Sequence, residues 1–169
     1  SISATLLERI QTDYPDLVVV VNGTAQYIVK FFNYDNTLIY SEVVAEGSDA
    51  VNPVTAGFIS APTRTNTDTI HYTFTDFGTL PTNVHANGSV VAQYSESYRV
   101  RYLSDAGGSA IQTTYVDRYG STQYNGSTPT KASTAQYTYT FANWSGATNT
   151  STGAINNVTE AKDIVATYT

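Results

Sequence analysis

The chain contains the same module twice. Tyr27-Ile28-Val29-Lys30-Phe31-Phe32 matches Tyr98-Arg99-Val100-Arg101-Tyr102-Leu103 in its alternation of apolar and basic residues. Ala61-Pro62-Thr63-Arg64 lines up with Thr128-Pro129-Thr130-Lys131. Tyr72-Thr73-Phe74-Thr75-Asp76-Phe77 then matches Tyr139-Thr140-Phe141-Ala142-Asn143-Trp144, aromatic on aromatic at all three positions. Both copies close alike: Asn83-Val84 leads to Val90-Val91-Ala92-Gln93-Tyr94-Ser95, and Asn157-Val158 to Ile164-Val165-Ala166-Thr167-Tyr168-Thr169. The offsets of the four blocks are 71, 67, 67 and 74 residues, so length changes fall between blocks, where loops absorb them. Self-similarity on this scale fixes the architecture before any other feature does: a small unit, built twice.

The unit is a β unit. Thr (27 of 169 residues) and Tyr (14) crowd the sequence, and both suit a pleated, half-buried surface while losing side-chain freedom in a helix. Tyr98 to Leu103 puts Tyr, Val and Tyr on one face and Arg, Arg and Leu on the other; Tyr27 to Phe32 alternates Tyr/Val/Phe with Ile/Lys/Phe. Tyr137 to Phe141 alternates aromatic with Thr and reads as a further strand. Turn signals separate the blocks at Asn33–Asn36, Asn87-Gly88, Ala106-Gly107-Gly108 and Asn125-Gly126. About four strands per copy result, the first pair forming a hairpin at Asn33–Asn36 or Asp105–Gly108. Val51 to Thr69 and Thr122 to Gln136, rich in Pro, Gly, Ser and Thr, read as long covering loops or irregular edge strands. The expected fold is all-β: two tandem small β-sheet, β-grasp-like modules at 27–97 and 98–169. Ser95-Glu96-Ser97 is a three-residue hinge, short enough to make the pair semi-rigid.

Residues 1–26 form a separate N-terminal attachment segment, a short helix followed by a strand. Leu6, Leu7 and Ile10 share one face of a helix that Ser3 caps and Pro15 ends; Leu17 to Val21 then reads as a strand and Asn22-Gly23 as a turn. Two helical turns are marginal alone, so this helix must pack on something. Two supports are open: the first module, or a larger assembly to which Leu6, Leu7 and Ile10 attach the chain.

Composition narrows the function. Charged residues are 13% of the chain, the net charge is −6, and the eight basic residues are scattered, so the clustered cations that bind nucleic acid are missing. No apolar run is long enough to span a membrane, and no signal peptide is visible. Without Cys there are no disulfides, thiolate metal sites or thiol catalysis. His71 and His85 are the acid–bases available near neutral pH, and their counterparts in the second copy, Thr138 and Thr159, cannot take the same role. Glu42, Glu46 and Asp49 form a loose acidic cluster without the Asp-x-Asp-x-Asp-Gly pattern of a calcium loop. Nucleophile-elbow and phosphate-loop motifs are absent. Neither a cofactor nor a metal is expected. Tyr72, Phe74, Phe77, Tyr139, Phe141 and Trp144 have the chemistry of a sugar-stacking platform, but their recurrence favours core positions, with Phe77 and Trp144 as core plugs. The loop tyrosines Tyr34, Tyr119 and Tyr124 are the candidate ligand contacts.

The series V-x-[FY], Pro-Thr-[Arg/Lys], Tyr-Thr-Phe-x-x-[Trp/Phe], Asn-Val and [Val/Ile]-Val-Ala-x-Tyr resembles the Listeria–Bacteroides (internalin B-type) repeat. The second copy matches best, and the first has Phe77 in place of Trp; both close on Tyr where that family commonly has Trp. The resemblance spans residues 27–169. It implies small β-rich, β-grasp-like modules of bacterial surface or phage structural proteins, with spacing, display and adhesion as roles and no catalytic residues to transfer.

The reading that follows is a non-enzymatic phage virion structural protein, either a capsid decoration or head fibre or a tail or baseplate appendage. Its N-terminal anchor would contact other capsid or tail proteins, with a homo-oligomer and a host-surface glycan as further expected partners. The virion setting rests on the lack of a leader or wall anchor. The alternative is a fragment of a secreted bacterial surface adhesin that binds a receptor or glycan.

Overall fold

The alternation in the first block of each copy becomes a long central strand. The computed structural model describes residues 1–169: α1 (Ala4–Asp13), β1 (Val20–Val21), β2 (Thr24–Phe32), β3 (Leu38–Ala45), β4 (Ile70–Asp76), β5 (Gly88–Val91), β6 (Gln93–Leu103), β7 (Ala110–Asp117), β8 (Phe141–Ser145) and β9 (Lys162–Tyr168). They form two sheets. In the first, β2 pairs with β1, β3 and β5; in the second, β6 pairs with β4, β7 and β9, and β8 pairs with β9.

The duplication extends to hydrogen-bond register. β2 and β3 are antiparallel with Tyr27 opposite Val44 and Phe31 opposite Tyr40, and the register slips between Phe31 and Phe32. β6 and β7 place Tyr98 opposite Val116 and Tyr102 opposite Gln112, with the slip between Tyr102 and Leu103, the same point of the repeat. β5 runs parallel to β2 from Val29–Gly88 to Phe32–Val91, and β9 runs parallel to β6 from Val100–Lys162 to Leu103–Val165. A parallel neighbour needs a long crossover, and the loop-rich stretch between the hairpin and the closing block supplies it.

Each unit closes over an aromatic core of the same geometry. Phe77 is buried and meets Phe31 edge-on at 5.0 Å and Phe74 at 5.1 Å. Trp144 is buried and meets Tyr102 at 5.2 Å and Phe141 at 5.4 Å. Edge-to-face contact suits the ring quadrupole and adds to the area term, which for a buried side chain of this size is about 1.5–3 kcal/mol. The closing tyrosines repeat the pattern: the Tyr94 hydroxyl donates to Asn33 Oδ1 and the Tyr168 hydroxyl to the Ser104 carbonyl, both at 2.6 Å. The Asn-Val pairs explain themselves. Asn83 (φ 46°) and Asn157 (φ 53°) take the left-handed turn that Asn tolerates, delivering Val84 and Val158 to the cores.

The division of the chain departs from the sequence boundaries. One unit comprises Ser1–Arg64 and Phe74–Tyr94, the other Thr65–Thr73 and Ser95–Thr169. Residues 1–26 are thus built into the first unit, and 65–73 into the second. Ser95-Glu96-Ser97, read as a linker, is strand: it lies within β6, Gln93–Leu103. The strand read at Leu17–Val21 shrinks to Val20–Val21, and the one read at Tyr137–Phe141 begins only at Phe141. An unbroken apolar run at Leu17–Val21 and aromatic–Thr alternation at Tyr137–Phe141 both suit a strand, but a strand exists only where a neighbour supplies hydrogen bonds.

Candidate functional site

Helix α1 begins as its sequence dictates. Ser3 Oγ accepts the Leu6 N–H at 3.2 Å, and the Tyr14 N–H closes the other end on the Ile10 carbonyl. The helix packs against β2 and β3, and in doing so buries Leu7 completely. Ile28 on β2 is also buried, on the strand face opposite Val29 and Phe31. The second copy has Arg99 there, so only the first module offers this helix an apolar seat. Polar contacts fasten it: Lys30 Nζ pairs with Glu8, Asn87 and Gln11 exchange side-chain hydrogen bonds, and Asn87 Oδ1 also takes the Ile28 N–H at 2.8 Å. Of the three expected attachment residues, Leu7 is therefore a core residue of the first unit. Ile10 is half-buried, and Leu6 is half exposed. Apart from Leu6, the exposed apolar surface of this end lies beyond the helix, at Tyr14, Leu17, Val18 and Val20.

The three candidate tyrosines part company. Tyr34, in the β2–β3 turn, has the Arg64 guanidinium 4.6 Å from its ring centroid and Tyr94 edge-on at 6.0 Å, so much of its ring is already in use. Tyr124 is no free loop contact: it packs 4.7 Å from Trp144 and its hydroxyl donates to the Ser127 carbonyl at 2.7 Å. The bridge between Thr122 and Ile155 draws this segment over the core. Tyr119 remains. It is 64% exposed and sits at φ 64°, where the first copy has Gly47 at φ 81°. Both positions donate their N–H to the carbonyl of the plug valine, Val84 or Val158. A bulky residue in the left-handed region is strained, and here the turn holds an aromatic ring outward despite that cost.

The titratable candidates are dispersed. His71 stacks on Tyr115 with ring centroids 3.4 Å apart, while His85 Nδ1 lies 3.2 Å from Glu46. Glu42 accepts the Val51 N–H and burial pushes its carboxyl up; Asp49 accepts the Asn83 N–H at 2.8 Å. Each carboxylate of the cluster serves a different part of the first unit. Sequence reading missed the bidentate pair of Arg101 and Asp163 (2.8 and 2.7 Å), which holds the Asp163 carboxyl below its ordinary range, and the exposed rings of Phe58 and Tyr137. Arg101 and Asp163 are far apart in the chain, so only the β6–β9 register could reveal their pairing.

No family model matches the chain, so the resemblance to the Listeria–Bacteroides repeat is not supported as membership. No curated protein matches it either. Among solved structures it is similar to Streptococcal High Identity Repeats in Tandem (SHIRT) domains 3-4 from a cell surface protein. The identity is 11% and the TM-score 0.29, with 85% of this chain and 96% of that one covered. At that score nothing about function transfers.

Proposed function

We propose that the chain is a non-catalytic repeat segment of a bacterial surface adhesin, supplying length and presenting side chains for contact. One observation carries this reading. The two copies keep the same register, bulge and aromatic core, while positions outside that framework diverge: Ile28, covered by α1, against Arg99, Gly47 against Tyr119, His71 against Thr138. What the copies share is framework, and no chemically reactive group is among it. Repetition of a framework multiplies reach, and divergent surfaces let each copy face a different neighbour. Tyr119, projecting from its strained turn, is the contact residue of this proposal, and a host glycan or receptor its ligand. The virion setting rests on the ends of these 169 residues, which carry no information about a leader or an anchor; surface repeats need neither within themselves.

Antibodies raised against residues 1–169 and applied to intact cells and to purified phage particles of the source organism test the setting. Label on the cell envelope supports the proposal. Label confined to virions replaces it with the phage reading, and label confined to the cell interior refutes both. Retention of chain-coated beads on host glycans should fall on Tyr119→Ala; unchanged retention removes Tyr119 from the contact.

A further inference from the structure

In the second unit, residues 65–73 cover the first half of β6. The Arg99 N–H donates to the Thr69 carbonyl at 3.0 Å, and the Ser95 hydroxyl donates to the Thr73 carbonyl at 3.4 Å. The Tyr115 hydroxyl donates to the Asp68 carbonyl at 2.6 Å, His71 stacks on Tyr115, and Ile70 packs against the core around Trp144. This segment recurs in the second copy as residues 132–140, with the same local turn. Thr67 donates its N–H to the Ile70 carbonyl at 2.9 Å, and the Ile70 N–H reaches Thr67 Oγ1 at 3.0 Å; Thr134 and Tyr137 repeat both bonds at 2.9 and 3.0 Å. The ladder between the two segment ends is also reproduced, because Thr140 and Thr169 exchange both backbone hydrogen bonds at 2.9 Å.

Beyond that pair the likeness stops. In the second unit the equivalent ladder continues from Thr73 and Ser95 to Thr69 and Arg99, whereas no strand pairs with 136–139, where Lys131 Nζ lies 4.7 Å from the Tyr139 ring centroid. Tyr137, the counterpart of the half-buried Ile70, is 64% exposed. We propose that the edge Gln136–Thr140 is a receiving site for the first strand of a further module joined at Thr169, paired antiparallel as 69–73 pair with 95–99. The strand it fits has the chemistry of Ser95-Glu96-Ser97-Tyr98-Arg99: extended, with a core-facing aromatic. The β-edge supplies main-chain affinity and Tyr137 the apolar cover, in the manner of strand addition. A second copy of this chain is a poorer occupant. Its corresponding strand start, Thr24–Ala25, is already paired with β1, and its Ile28 N–H is held by Asn87. The inference holds whether the protein sits on a cell or a virion.

The test appends a repeat of residues 96–169 directly after Thr169 and follows amide hydrogen exchange. Exchange at the Thr138 N–H, which by antiparallel alternation faces the added strand while the Tyr137 N–H stays on Thr134 Oγ1, should slow by about 100-fold or more relative to the 169-residue chain, as expected when an unpaired amide enters a stable ladder. Tyr137→Asp should abolish that protection while leaving the 169-residue chain's melting unchanged. A folded third module with an unprotected Thr138 N–H overturns the proposal. If the appended module does not fold, a peptide of residues 95–103 is added to the 169-residue chain. Amide shifts confined to 136–140 support the site, and their absence overturns it. Concentration-dependent shifts there without any addition would make a second copy the occupant and refute the assignment.

Discussion

Tyr102→Phe separates packing from hydrogen bonding in the second core. Tyr102 is fully buried, and its hydroxyl donates to the Gly153 carbonyl at 2.6 Å. Burial pushes the phenol up to about 12, so it stays a neutral donor at any working pH. The first copy has Phe31 at this place, edge-on to its own core ring, so a phenylalanine fits the slot sterically. What the substitution removes is the donor, leaving a buried carbonyl unmatched at a cost of about 1–3 kcal/mol. Against a total of roughly 5–15 kcal/mol this is a large fraction, and for a unit of this size it lowers Tm by about 4–8 °C per kcal/mol. Trp144 is the chain's one tryptophan and lies 5.2 Å from Tyr102, so its fluorescence in a urea titration reports this core. A loss below about 0.3 kcal/mol would refute the reasoning, because it would mean that the Gly153 carbonyl does not depend on the phenol. Gly153→Ala probes the same lock from the other side. Gly153 has φ +77°, and an added Cβ would come within 3.0 Å of Trp144 Cδ1 and 3.1 Å of Tyr102 Cε1, so this variant should lose at least as much.

Leu7→Ala should cost about 2–5 kcal/mol in the first unit by far-UV circular dichroism, the price of an emptied core site; no loss would return the helix to a free attachment peg. Gly47→Ala should destabilise by about 1 kcal/mol through backbone strain alone, since the added Cβ meets only Asn83 Oδ1 at 3.8 Å. Tyr119→Gly should change stability the other way, by less than about 1 kcal/mol in a urea titration, the relief being offset in part by the lost contact with Arg118. Asp163 is held below its ordinary range by Arg101, so its folded value lies under its unfolded one. Its contribution is present above the unfolded value of about 4 and is lost as pH falls through the folded value. Asp163→Asn should therefore flatten stability against pH in that acidic window, and an unaltered profile would show that the pair adds nothing.

The duplication, the β character, the two hairpins, the Ser3 cap and the core plugs Phe77 and Trp144 were all legible in the chain. They depend on local periodicity, on turn chemistry and on a pattern that two copies print twice. Leu7 could be placed on a helix face but not in a core, because its burial depends on Ile28 standing where the other copy has Arg99. Tyr124 looked like a loop residue until a bridge between Thr122 and Ile155 folded its segment over Trp144. The exposure of Tyr119 follows from a left-handed turn that glycine makes silently in the first copy.

Composition and alternation determined which residues want to lie in strands and which faces want burial. Which strand pairs with which was decided only in three dimensions. Residues 65–73 and 132–140 carry similar sequences and the same local turn, yet one is built into a ladder and the other stands open. A strand's hydrogen bonds are made to another part of the chain, and no residue encodes its partner by itself.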